Sequence, residues 1–75
     1  MGRLAGFAAR EVSRIAERND WQYDRTTGSH RIYHKPGSRL NLAIPDHATV
    51  AEGTLRSLLR TMDMTIEEFL AVARK

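Results

Sequence analysis

The chain has 75 residues, no cysteine, and twelve lysines and arginines, ten of them arginine, against nine acidic residues. This length allows one small domain, residues 1–75, without a large ligand cavity, and the lack of cysteine excludes disulfides and thiolate metal sites. No segment approaches the roughly 18 apolar residues that span a bilayer, and the charged N-terminal stretch is unlike a signal peptide, so we expect a soluble, cytoplasmic protein without membrane contact.

The first half of the chain predicts a helix followed by a three-stranded antiparallel meander. Apolar residues at helical spacing favour a helix from Ala8 to about Arg18. Gly28 and the Lys35–Ser38 turn then separate stretches in which residue types alternate with the period of a strand. The strands are expected at residues 21–26, 29–34 and 40–45.

The second half predicts two helices. A second helix is expected to begin near Gly53 or Thr54, and its apolar face comprises Leu55, Leu58, Leu59 and Met62. A capping box at Thr65–Glu68 opens a short last helix that can bury Phe69, Leu70 and Val72. The predicted class is α+β, with the helices covering one face of the sheet and the other face open to ligands.

Alternation along the strands also predicts which side chains are buried. We expect Trp21 and Tyr23 to be core residues rather than base-stacking residues, and Ile32 to be core as well. Strict alternation places His30 on the same face as Ile32, so an exposed His30 would require a strand start or a bulge at Gly28-Ser29. Arginines at positions 10, 14 and 18 form a helical ridge, interpreted as a solvated face.

Two kinds of chemistry are disfavoured by strand geometry. His30 and His34 are separated by about 13 Å along a strand, which is too far for one metal ion with imidazole bonds of about 2 Å. Ser29 and His30 point to opposite faces, so a nucleophilic triad with Asp46 is disfavoured. No glycine-rich phosphate loop is present, and we expect neither a metal nor an organic cofactor.

Phosphodiester cleavage of RNA remains possible, because the 2′-hydroxyl of the substrate is itself the nucleophile. An imidazole that titrates near neutral pH can accept the 2′-proton, and arginines can hold the phosphate. His30 is the candidate base, with His47 as a second acid/base candidate. The candidate phosphate contacts are Gly28, Ser29, Arg31, Lys35 and Arg39. From the pattern alone, an exposed strand histidine is more often a solvated polar residue than a catalytic one.

Four segments in register resemble the HicA toxin family. They are AREVSRIAERNDW (9–21), GSHRIYHKPG (28–37), LAIPDHATVAEGTLRSLLR (42–60) and TIEEFL (65–70). The resemblance implies a double-stranded-RNA-binding-domain-like α-β-β-β-α fold and a ribonuclease that cleaves mRNA and arrests translation. It implies that His30 is catalytic, that a HicB-family antitoxin covers the site, and that no cofactor is needed. Unlike many family members, the chain has no lysine in the loop DHATVAEG (46–53).

Two other functions are considered. The same fold could recognise RNA shape without cleaving it, although the second helix offers only Arg56 and Arg60 for phosphate contacts. A helix-turn-helix DNA reader over residues 54–73 is disfavoured, because Glu67 and Glu68 would face a phosphate-lined groove.

Overall fold

The computed structural model describes residues 3–46 and 49–73. The elements in chain order are α1 (Ala9–Arg18), β1 (Gln22–Thr27), β2 (His30–His34), β3 (Leu42–Pro45), α2 (Glu52–Thr61) and α3 (Ile66–Ala73). The predicted element order and the α+β class are confirmed. No helix in the described ranges is long and apolar enough to cross a membrane.

The three strands form an antiparallel sheet in the order β1-β2-β3. The first residue of β2, His30, pairs with Thr27 of β1 and with Pro45 of β3. A register shift lies in β1, between Tyr23 and Arg25, and not at Gly28-Ser29. Of the two alternatives that the sequence required for an exposed His30, the structure has the strand start, because β2 begins at His30 and pairs with β3 in continuous register from that residue.

The two faces of β2 are the reverse of the sequence prediction. Tyr33 is fully buried and pairs with the buried Leu42, whereas Ile32 is only half-buried and pairs with the exposed Ala43. The prediction of Ile32 as a core residue is therefore wrong. Since successive strand residues point to opposite faces, the choice of Tyr33 as the core residue turns His30 and Ile32 together to the open side.

All three helices lie on the face that carries Tyr33, and the core forms between them and the sheet. The predicted α2 positions Leu55, Leu58, Leu59 and Met62 are all buried, as are Val12, Ile15 and Ala16 of α1. From α3, Phe69 is fully buried and meets the Phe7 ring edge-on at 4.8 Å between centroids. Leu70 and Val72 are only half-buried. These contacts leave the opposite sheet face uncovered.

The aromatic residues at the start of the sheet have different environments. Trp21 is buried, as predicted, but Tyr23 is 47% exposed, so its assignment to the core is wrong. Tyr23 lies on the helical face beside Tyr33, at 5.8 Å between ring centroids, in the edge strand of the sheet. The register shift that follows it marks the point where β1 bends away from regular pairing.

Candidate functional site

His30 occupies the first position of β2, directly after the turn at Gly28-Ser29. Its side chain is exposed on the open sheet face, which also carries the half-buried Ile32 and the exposed His34 of the same strand. Gly28 has φ +58°, in the left-handed region that favours glycine, and the space around its Cα is open. A tight turn thus places an accessible imidazole at the end of the sheet.

The turn is tied to the end of β3. The backbone N–H of Asp46 donates a hydrogen bond to the Ser29 carbonyl at 2.6 Å. This bond extends the β2–β3 pairing by one step beyond His30 and Pro45. Because backbone hydrogen bonds flank His30 on this side, the position of its Cα is fixed while its ring remains accessible.

Arg31 points to the other face of the sheet, toward α1. Its guanidinium carbon lies 4.8 Å from the centroid of the Tyr23 ring and 6.0 Å from that of Tyr33. Hydrogen bonding with Tyr33, and more weakly the Asp46 carboxylate, raises the pKa of Arg31 above its ordinary value. The charged guanidinium lies on the helical face, and it does not share a sheet face with His30.

The two other predicted cations lie at the opposite end of β2. Lys35 is half-buried, and its ammonium sits 5.9 Å from the centroid of the Trp21 ring. Arg39 is exposed in the connection between β2 and β3. At about 3.3 Å per residue, five residues separate Lys35 from His30 by about 16 Å, so the two cannot contact one phosphate together.

The two other histidines of the chain are His34 and His47. His47 lies outside the described residues, so its predicted acid/base role stays a prediction. His34 is exposed, and its Nδ1 lies 3.4 Å from the side-chain oxygen of Asn41. Within residues 3–46 and 49–73, no three histidine, cysteine or acidic side chains are placed to hold a metal ion.

A cleft between α1 and the inner face of β2 was missed by sequence reasoning. It has a volume of about 250 Å³, and its lining residues are Ala9, Arg10, Ser13, Arg14, Glu17, Arg31, Tyr33 and Asp46. The arginine ridge of α1 was the sequence feature that could have indicated this cleft. Its interpretation depended on which face of β2 is turned toward the helix. Arg10 and Arg14 line the cleft with Arg31, whereas Arg18 does not.

The fold and this arrangement define a class of protein. A three-stranded meander with every described helix on one face is the double-stranded-RNA-binding-domain-like α+β fold, here with an exposed histidine at the end of the open face. The family model of the HicA toxin of bacterial toxin-antitoxin systems matches residues 9–64. The chain therefore belongs to the HicA toxin family, and its role is that of the toxin in a toxin-antitoxin pair. Comparison with curated proteins gave no significant match.

Proposed function

We propose that this toxin is a metal-independent endoribonuclease that cleaves mRNA and arrests translation, with His30 as the general base. The observation that carries the proposal is the exposed His30 at the start of β2, on the open sheet face of a HicA-family chain. A single-stranded RNA laid across this face can bring a 2′-hydroxyl to the imidazole. No helix in the described part of the chain obstructs that approach.

In the proposed reaction, a ring nitrogen of His30 accepts the 2′-proton while the 2′-oxygen forms a bond to phosphorus. The bond from phosphorus to the 5′-oxygen breaks, and that oxygen takes a proton from a second acid, for which His47 is the candidate. The products are a 2′,3′-cyclic phosphate and a 5′-hydroxyl end. A positioned base contributes about 10²- to 10⁴-fold to such a step.

The other predicted residues have separate roles in this proposal. Gly28 and Ser29 let the RNA backbone approach the turn, where backbone and hydroxyl groups can donate to phosphate. Lys35 and Arg39 contact phosphates farther along the RNA, at the other end of β2. An antitoxin of the HicB family inhibits the toxin by covering the face that carries His30.

The test compares His30→Ala with His34→Ala. Both histidines are exposed on the same strand and face, so neither change should alter the free energy of unfolding by more than about 0.5 kcal/mol. Incubated with end-labelled single-stranded RNA in EDTA, wild type and His34→Ala should give cyclic-phosphate products. His30→Ala should cleave at least about 100-fold more slowly and should no longer arrest growth.

A 2′-deoxy residue at the cleaved position should block the reaction, because it removes the nucleophile. Undiminished cleavage by His30→Ala would refute the role of His30. Retention of RNA by the wild-type protein without any product would instead favour a non-catalytic RNA-binding module of the same fold.

A further inference from the structure

Two residues that line the α1–β2 cleft, Ser13 and Arg31, carry buried polar atoms without partners in the described residues. Ser13 is only 7% exposed, and its hydroxyl has no hydrogen-bond partner among the residues that the structure describes. The Nε of Arg31 is also buried, and it likewise lacks a partner in residues 3–46 and 49–73. Buried polar groups in folded proteins are seldom left without a partner, so such groups usually face a ligand or an ordered water.

The walls of the cleft are cationic. Three guanidiniums, those of Arg10, Arg14 and Arg31, line it against the two carboxylates of Glu17 and Asp46. The Glu17 carboxylate accepts a hydrogen bond from the Tyr33 hydroxyl over 3.5 Å. The net charge of +1 and the planar donors of arginine suit an anion with several oxygens, such as a phosphodiester.

The lining of the cleft includes residues that lie next to His30 in the sheet. Arg31 follows His30 in β2, and Asp46 is bonded through its backbone to Ser29, which precedes His30. His30 faces outward at this end and Arg31 faces inward, so an RNA strand that turns around the end of β2 and β3 can reach both. Neighbouring phosphates of one strand would then lie on opposite sides of the sheet.

We propose that Arg10, Ser13, Arg14 and Arg31 form a binding site for an RNA backbone phosphate next to the one cleaved at His30. The site would fix the RNA in register on the toxin and would not take part in proton transfer. The inference rests on the proposed function, because it takes the ligand to be the same RNA strand.

The experiment measures binding of a cleavage-blocked RNA, with a 2′-deoxy residue at the cleaved position, to the full chain. The test protein carries Arg10→Ala and Arg14→Ala, and the control carries Arg56→Ala and Arg60→Ala. All four arginines are exposed on helices, and both doubles remove two positive charges. Circular dichroism and thermal melting of each double should match those of wild type, since alanine favours helices.

The cleft double should bind at least tenfold more weakly at about 100 mM salt, and the control less than threefold. Each lost phosphate contact lowers the slope of log affinity against log salt by about 0.7 for single strands, so loss of this one phosphate site should reduce the slope of the cleft double by about 0.7. Neutralising one phosphate beside the cleaved position with a methylphosphonate should weaken binding to wild type. The methylphosphonate should not further weaken binding to the cleft double, because the substitutions and the neutralised phosphate remove the same arginine–phosphate interaction.

The possible results separate this inference from the ribonuclease proposal. Equal binding by the two doubles overturns the inference, even if wild type cleaves RNA through His30. Selective loss of RNA binding in the cleft double, without cleavage by wild type, supports the phosphate site and refutes the ribonuclease.

Discussion

His30 and Arg31 are adjacent in the chain but face opposite sides of the sheet. His30 is exposed on the open face, whereas Arg31 is half-buried beside Tyr33 and lines the cleft under α1. The two side chains cannot clamp the same phosphate while β2 is intact. Under the proposed function, the imidazole would therefore act on the reacting group and the guanidinium would hold a neighbouring part of the ligand.

The cations at the other end of β2 should matter only for long substrates. Lys35 lies about 16 Å from His30 along the strand, so a trinucleotide bound at His30 does not reach it. Lys35→Gln combined with Arg39→Gln should raise KM several-fold for a 20-nucleotide RNA and leave kcat unchanged. Cleavage of the trinucleotide should not change, and an equal loss on both substrates would contradict this placement.

The face assignment of β2 and β3 can be tested by stability. Ile44 is fully buried on the helical side, and removing its side-chain atoms with Ile44→Ala should cost about 2–5 kcal/mol. Ile32→Ala, on the open face, should cost less than about 1 kcal/mol. Urea unfolding followed by circular dichroism measures both values. Comparable losses would mean that Ile32 also belongs to the core.

The fold was largely predictable because its signals are local. The helical spacing of Leu55, Leu58, Leu59 and Met62 and the glycine and proline turns of the meander each depend on a few neighbouring residues. These signals specify the elements and their order. They are sufficient for the α+β arrangement, because helices on one side of a small antiparallel sheet are the simplest way to bury all the apolar faces.

The orientation of β2 was not predictable in the same way. The strand sequence is His-Arg-Ile-Tyr-His, and either Ile32 or Tyr33 could be the core residue. Because the two are adjacent, choosing one instead of the other reverses which face of the strand is buried. The large Tyr33 ring occupies the core position, where it packs beside Leu42 and Tyr23. Its hydroxyl donates a hydrogen bond to Glu17. The cleft could not be predicted for the same reason. The Arg31 side chain faces α1 only if Tyr33, two residues later in the strand, also faces the helices.

The turn before His30 should depend on glycine for its backbone conformation. Gly28 adopts φ +58°, and a Cβ added at this position would meet no other atom within 4 Å, so Gly28→Ala introduces backbone strain rather than a clash. We expect a loss of about 1 kcal/mol and reduced cleavage, with a milder effect for Gly28→Asn.

The matched control for this prediction is Gly53→Ala within α2, where the space is also open. Removing a flexible glycine from a helix should stabilise the protein by about 0.5–1 kcal/mol. Thermal melting distinguishes the two, and destabilisation of the same size at both positions would argue against a special role of the turn.

An exposed ion pair joins the start of the chain to α3. The Arg3 guanidinium lies 3.2 Å from the Glu67 carboxylate. A backbone N–H at Glu67, and then Arg3, lower the pKa of Glu67. A carboxyl with a lowered pKa in the folded state stabilises above its unfolded pKa, and this contribution disappears as the pH falls through the folded pKa.

Arg3→Ala should therefore raise the titration midpoint of Glu67 in an NMR experiment without fully restoring its ordinary value, because the backbone donor remains. Arg3→Lys, which keeps the charge, should raise it less. The melting temperature at neutral pH should change little, because exposed ion pairs contribute little to stability. A midpoint that does not move would show that Arg3 exerts no effect in solution.

The helices α2 and α3 differ in how their N-termini are capped, so substitutions at the two N-cap residues should change the free energy of unfolding in opposite directions. Thr65 opens α3 with a complete capping box, in which Glu68 N–H donates to the Thr65 hydroxyl at 3.0 Å and Thr65 N–H donates to the Glu68 carboxylate at 2.8 Å. Ala51 opens α2 with extended backbone and no side-chain bond.

Thr65→Ala should lower the free energy of unfolding by about 1 kcal/mol, and Ala51→Ser should raise it by about 0.5–1 kcal/mol. In a domain of this size, 1 kcal/mol corresponds to about 4–8 °C in Tm, which calorimetry resolves. Shifts of the same sign for the two variants would contradict the capping geometry, because both changes act on exposed N-cap side chains and differ only in whether a bond to the helix is lost or gained.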